Sequence, residues 1–179
     1  MEFSILYSIP RTGILDTIFL FFTHLPGSIG QLWLIVGFIL LIFKKTRKTG
    51  AAVLISFIGV LLFGELFLKY AVTRLRPCQI DREFALLVAR PTSSSFPSTH
   101  SAFAFGAATA IFMDHRKSGI VMFITAAFIA FSRLYLFLHF PTDVLCGAVL
   151  GVVIGFASVK VCDFAVKKYN AKMLCQKEL

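Results

Sequence analysis

The stretch SSSFPSTHSAF, residues 93–103, joins two kinds of sequence. Three serines and a proline make a polar run, Ser98, Thr99 and His100 follow, and an apolar pattern of helical type, AFAFGAATAIFM, starts at once. Pro97 suits the start of a helix and Ser98 is a good N-cap residue. The first amides of a helix lack internal partners, so with the helix dipole they form a site for an anion. His100 is expected in that first turn. Taken alone, Ser-Thr-His is no more than a capped helix. Its meaning depends on what else reaches the same place.

The surroundings are those of a membrane protein. The chain has 179 residues, 58% hydrophobic and 15% charged, against about 45–50% apolar in soluble domains. About 20 apolar residues span a bilayer as a helix. Five spans are expected near 28–43, 51–72, 97–113, 119–137 and 142–165, in one all-α domain over residues 1–179. The run TGILDTIFLFFTHL, residues 12–25, is short and bounded by proline and charge. It is expected to form an N-terminal interfacial helix at the outer face, a sixth span being the alternative. The N-terminus has no basic flank of the kind that marks a cleaved signal peptide.

The net charge is +9. Nucleic acid is not the expected partner, because the basic residues fall between apolar segments: KKTRKTG at 44–50, DHRKSG at 114–119, and Lys167, Lys168, Lys172 and Lys177 in the tail. Five alternating spans put all three groups on one side. Positive residues mark the cytoplasmic side, so the C-terminus is expected inside a cell membrane. Residues 73–96, the link at 138–141 and the N-terminus then lie outside. Arg74, Arg76, Arg82 and Arg90 in that outer loop run against the trend, and an anionic ligand is the simplest reason for them. Cys78, Cys146, Cys162 and Cys175 match no metal or redox spacing, and no disulfide is expected.

Glu65 and Lys69 share one face of the second span, where an ionised group costs about 2.5–3.5 kcal/mol at mid-membrane. The pair is either a snorkelling lysine with its counter-ion or part of a site. Pro77 disfavours helical geometry at Arg76, so Lys69 and Arg76 can grip one phosphate from a helix end and from a loop. In SRLYLFLHFPTD, residues 132–143, Arg133 lies near the outer end of the fourth span and Pro141 marks the next helix start. Asp143 is close enough to His139 in sequence to accept a bond from one ring nitrogen, which frees the other to attack. His24 and His115 read as ordinary interfacial residues. Three separate pieces thus converge on one outer mouth, a constellation suited to phosphoryl transfer without a metal or other cofactor. Which histidine attacks and which donates the proton is open at this point. Behind the mouth, Gly147, Gly151 and Gly155 follow Asp143 along one face, and Ser98, Ala102, Gly106 and Ala110 make a matching line. Small residues let membrane helices approach closely.

Lys69-x6-Arg76-Pro77, then Pro97-Ser98-Thr99-His100, then Ser132-Arg133-x5-His139-x3-Asp143 resembles the motif set of type 2 phosphatidic acid phosphatases, membrane lipid phosphatases that share it with vanadium haloperoxidases. The motifs span residues 69–143 in the family's order. The chain is similar to compact members such as bacterial undecaprenyl diphosphate phosphatases. The resemblance implies that His139 attacks phosphorus, Asp143 orients it, and His100 protonates the leaving oxygen and then activates water. It implies that Lys69, Arg76, Ser98, Arg133 and amides near Thr99 bind the phosphate. Thr99 stands where the family usually has glycine, and Glu65 where a neutral polar residue is expected, tuning Lys69 or touching substrate. The expected substrate is undecaprenyl diphosphate, with phosphatidylglycerophosphate or phosphatidic acid as the alternative. A non-catalytic lipid carrier or scramblase is the competing class. The sequence carries no signal for oligomeric state.

Overall fold

A computed structural model describes residues 1–27 and 30–175, the last two by backbone alone. Lys177 of the basic tail and the first two residues of the expected 28–43 span lie outside the described residues. The described chain is helical, with no strand: α1 Glu2–Tyr7, α2 Gly13–His24, α3 Gln31–Ile42, α4 Arg47–Ala71, α5 Pro77–Ile80, α6 Thr99–Asp114, α7 Arg116–Tyr135 and α8 Pro141–Cys175. Three helices, Arg47–Ala71, Arg116–Tyr135 and Pro141–Met173, are long and apolar enough to cross a membrane, the pattern of a multi-pass membrane protein.

The centre of the bundle is α6. Its Ala102, Ala104, Ala107, Ala108 and Ala110 are all buried, as expected of a helix enclosed on every side. Its small side chains let α8 approach to backbone contact. A Cβ placed on Gly147, Gly151 or Gly155 would stand 2.3, 2.3 and 2.5 Å from the carbonyl oxygens of Ser98, Ala102 and Gly106. The two small-residue lines of the sequence therefore face each other. This contact starts beside Ser98 and sets how far the start of α6 lies from the start of α8.

Residues 1–25 form two helices rather than the single interfacial helix expected. In α2, Thr12 caps the first turn by accepting from the Leu15 amide at 3.3 Å. The helix packs on the last turns of α7 through Phe19 on Phe131 and Phe22 on Phe128, with ring centroids 5.1 and 4.8 Å apart. The 12 residues of α3 rise only about 18 Å, short of a hydrocarbon core of about 30 Å. At the other extreme, α8 runs to Cys175, about ten residues past the expected end at 165.

The two ends of the bundle differ. At one, Lys48 bridges Asp114 and Asp163 at 2.6 and 2.8 Å, tying α4, α6 and α8 together next to the basic turns. At the other, loop 72–98 and α1 cover the ends of α4 and α7 and the starts of α6 and α8. There Phe3, Tyr7, Phe84, Phe137 and Phe140 form an aromatic cluster. Cys78, Cys146 and Cys162 are free thiols.

Candidate active site

The three serines that open the decisive stretch are the framework of the site. Arg76, 3% exposed, precedes Pro77 in extended geometry, φ −78° and ψ 154°, as a residue before proline should. Its guanidinium donates to Ser93 O at 2.9 Å, Ser93 Oγ at 3.1 Å, Ser94 O at 3.2 Å and Leu138 O at 3.1 Å. Its Nη1 also lies 2.9 Å from His139 Nε2. The other ring nitrogen, Nδ1, is 2.7 Å from Ser95 O. A carbonyl can only accept, so Nδ1 carries the hydrogen and Nε2 presents its lone pair to Arg76. Burial first, then the charges of Arg76 and Arg133, push the His139 pKa well below its ordinary value. The ring is neutral at pH 7, the form a nucleophile needs.

Arg133 and His139 are held together by backbone. Phe137 turns the chain at φ 59°, and the amides of Leu138 and His139 both donate to Arg133 O, at 3.1 and 3.2 Å. The Arg133 guanidinium is buried. Its Nη1 donates to Thr23 Oγ1 and its Nε has no partner among the described residues. His100 sits in the first turn of α6, as expected, and bonds to the backbone of Gly27. Arg76, Arg133, His100 and Lys69 all lie within electrostatic reach of His139.

Asp143 departs from the expected direct bond to His139. Its Oδ2 is 3.9 Å from His139 Nδ1. Instead it accepts from the Ser95 hydroxyl at 2.5 Å and the Phe140 amide at 2.8 Å, while Oδ1 accepts from Arg74 Nη1 at 2.6 Å. As the third residue of α8 it closes that helix start back onto Phe140, which competes with the histidine for the same oxygen. Arg74 also pairs with Glu2, and Glu2 accepts from the Thr142 hydroxyl at 2.7 Å. The first helix of the chain is thereby tied to the site.

Lys69 and Glu65 form an ion pair at 2.7 Å. The segment Leu61–Leu68 that carries Glu65 is wound as a π-helix, a form often found at functional sites. The Thr99 side chain is turned toward it: a Cβ on Gly64 would lie 3.4 Å from Thr99 Cγ2. Threonine thus fits where glycine is usual by packing against another glycine. Ser98 is the N-cap of α6 in position, with Pro97 outside the helix, but its hydroxyl pairs with Ser101 Oγ at 2.9 Å instead of a backbone amide. The Ser98 amide bonds to Asp143 O at 3.0 Å.

Two cavities lie at this end of the bundle, lined by chain neighbours and partners of Arg76 and His139. One of about 550 Å³ is lined by Glu65, Lys69, Tyr70, Arg74, Gln79 and Ser93. The other, about 340 Å³, is lined by Thr23, His24, Val88, Pro91, His100 and Arg133. The structure therefore gathers Lys69, Arg76, Ser98, Thr99, His100, Arg133, His139 and Asp143 at one end of the bundle. It does not bring in Arg82 or Arg90: Arg90 pins the loop by donating to the Asp81 and Arg82 carbonyls at 3.4 and 3.1 Å. Sequence reasoning missed Ser93 and Ser95 as site residues, expected Arg74 to meet an anionic ligand where it instead pairs with Asp143 and Glu2, and set His24 aside. A polar SSS run in an apolar chain was the available signal for the serines. Among the described residues no group of three or more His, Cys, Asp or Glu side chains could hold a metal.

Residues 49–166 match the model of the PAP2 superfamily. The chain is 38% identical over 130 residues to an undecaprenyl-diphosphatase of Sulfolobus acidocaldarius, covering 72% of this chain and 63% of that protein. The chain thus spans less than two thirds of that relative's length. Its fold is similar to the transmembrane PAP2-type phosphatidylglycerolphosphate phosphatase of Bacillus subtilis, with a TM-score of 0.68, 28% identity, and coverage of 92% of this chain and 83% of that one. It is equally similar to Aquifex aeolicus LpxE, with a TM-score of 0.68, 27% identity, and coverage of 89% and 94%. With its three motifs assembled around His139 and the family's helical frame around them, this chain belongs to the PAP2 superfamily.

Proposed function

We propose that this chain hydrolyses a lipid phosphate or diphosphate through a phosphohistidine. The observation that carries the proposal is the neutral His139, whose Nε2 lone pair meets a buried arginine, with Arg133, Lys69 and His100 around it. Such a cluster is arranged for a phosphoryl group, whose equatorial oxygens the cations hold in line with the nucleophile. Nε2 attacks phosphorus, and the bond from phosphorus to the leaving oxygen breaks as His100 donates a proton to that oxygen. His100 then takes a proton from water, which attacks the phosphohistidine and releases phosphate. Lys69, Arg76, Arg133, Ser98 and amides near Thr99 bind the oxygens. Asp143, at 3.9 Å from Nδ1, stabilises the positive ring. No metal or cofactor enters this scheme.

Undecaprenyl diphosphate is the proposed substrate, supported by the Sulfolobus relative. Phosphatidylglycerophosphate is the second reading, supported by the Bacillus phosphatase of like fold. The site would face outside a multiply crossed plasma membrane, with the C-terminus in the cytoplasm. Phosphate release from purified undecaprenyl diphosphate, phosphatidylglycerophosphate and phosphatidic acid tests the activity and ranks the substrates. Release from none would favour a carrier or scramblase. Activity should survive EDTA and fall with vanadate; loss on chelation restored by one divalent ion would overturn the metal-free scheme. Single cysteines at Lys48 and Arg82 should label from opposite sides, Lys48 from the cytoplasm.

A further inference from the structure

We propose that His24 reads the second phosphate of a lipid diphosphate and so sets the preference of this site for diphosphates over monophosphates. The inference rests on the roles proposed above for His139 and His100. In-line transfer puts the leaving oxygen on the far side of phosphorus from the attacking nitrogen. The acid that protonates that oxygen must lie within hydrogen-bond reach of it. His100 lines the cavity of about 340 Å³ and not the larger one. The leaving group therefore goes into the smaller cavity. For a lipid diphosphate that group is the second phosphate with its chain; for a monophosphate it is an alcohol.

The walls of this cavity fit such a group. Val88, Ala89, Pro91 and Leu138 offer apolar surface for the chain. Its polar side chains are Thr23, His24, His100 and Arg133. Thr23 is engaged with Arg133, while Arg133 and His100 serve the reacting phosphoryl group. That leaves His24, an exposed residue of the cavity wall, as the polar side chain available to the second phosphate. Its position is set from both sides, by the Thr23 bond to Arg133 and by the Gly27 backbone bond to His100. The larger cavity has a carboxylate, Glu65, already on its lysine, which makes it the poorer place for a second phosphate.

The test compares a prenyl diphosphate with the monophosphate of the same chain, using wild type, His24→Ala and His24→Gln. The ratio of kcat/KM for diphosphate over monophosphate should fall about tenfold in His24→Ala, equivalent to about 1.4 kcal/mol, and recover most of that in His24→Gln, which keeps a donor. An unchanged ratio, or a parallel loss on both substrates, would overturn the assignment. Binding of a non-hydrolysable prenyl methylenediphosphonate should weaken by the same factor in His24→Ala, and that measurement does not depend on turnover. Unchanged binding counts against His24, whereas a wild type that binds the analogue but releases no phosphate from either substrate counts against the hydrolytic reading.

Discussion

The two ends of the bundle use the same residue types to opposite effect. At the basic end Lys48 sits between Asp114 and Asp163, and Thr49 adds a bond to Asp114 at 2.8 Å. Charge there is balanced, partly exposed, and joins three helices. At the other end Arg76 and Arg133 are buried at 3% and 7% exposure. Among the described residues, Arg76 is bonded by carbonyls, a hydroxyl and a neutral ring, and Arg133 by a hydroxyl. The buried carboxylate there, Asp143, is taken by Arg74. A buried charge without a counter-ion is costly unless something else compensates it. Balanced charge is a staple. Buried positive charge in excess marks the place where an anion belongs.

The largest expected effect lies at the charge-rich end. His139→Ala should lower turnover by about 10³-fold or more, since it removes the proposed nucleophile, while the protein still folds; near wild-type turnover would break the comparison. Next comes the helix contact behind the site. Gly151→Leu drives a side chain into the Ala102 carbonyl. A displacement of ~1 Å at the site can cost on the order of 100-fold in rate, and overpacking about 1–3 kcal/mol. Val152→Leu, on an exposed face, should change neither activity nor melting. Equal behaviour of the two variants would show that the glycine line does not position the catalytic groups.

A smaller effect is expected at Arg74. Arg74→Ala removes the cation paired with Asp143 without touching phosphate and should lower kcat about tenfold with KM nearly unchanged. Arg74→Lys should recover part of the loss. A rise in KM alone would place Arg74 on the substrate instead. The smallest belongs to the balanced end. Lys48→Ala breaks a partly exposed pair, worth about 0–1 kcal/mol after solvent screening, and should leave kcat/KM within about twofold. A large loss of activity there would mean that the two ends are coupled.

Much of this is legible in the sequence because it is local. Apolar runs and basic turns place the long helices, Pro77 and Pro141 mark the helix boundaries beside the site, and the motif spacings put their residues at one end of the bundle. The four-residue steps of Gly147, Gly151 and Gly155 announce a close helix contact. Sequence does not reveal that its partner is the line on α6, because a face carries no address. The shortness of α3 is also hidden, since an apolar run reads the same whether or not the helix breaks within it.

What the chain determined by itself was the chemistry and its side of the bundle: two histidines, three cations and a carboxylate in spacings that alternate helices bring to one end. Only the tertiary structure decided who pairs with whom. Four-residue spacing matches Asp143 to His139, but Ser95, Phe140 and Arg74 reach its oxygens, and the Ser95 carbonyl takes the ring hydrogen. Glu2 joins the site from the far end of the chain, through Thr142 at a separation of 140 residues, and His24 turns from an interfacial residue into a wall of the cavity. The physical reason is that periodicity tells which side chains share a face, whereas a hydrogen bond requires a position good to about a few tenths of an ångström, and only the packed helices fix that.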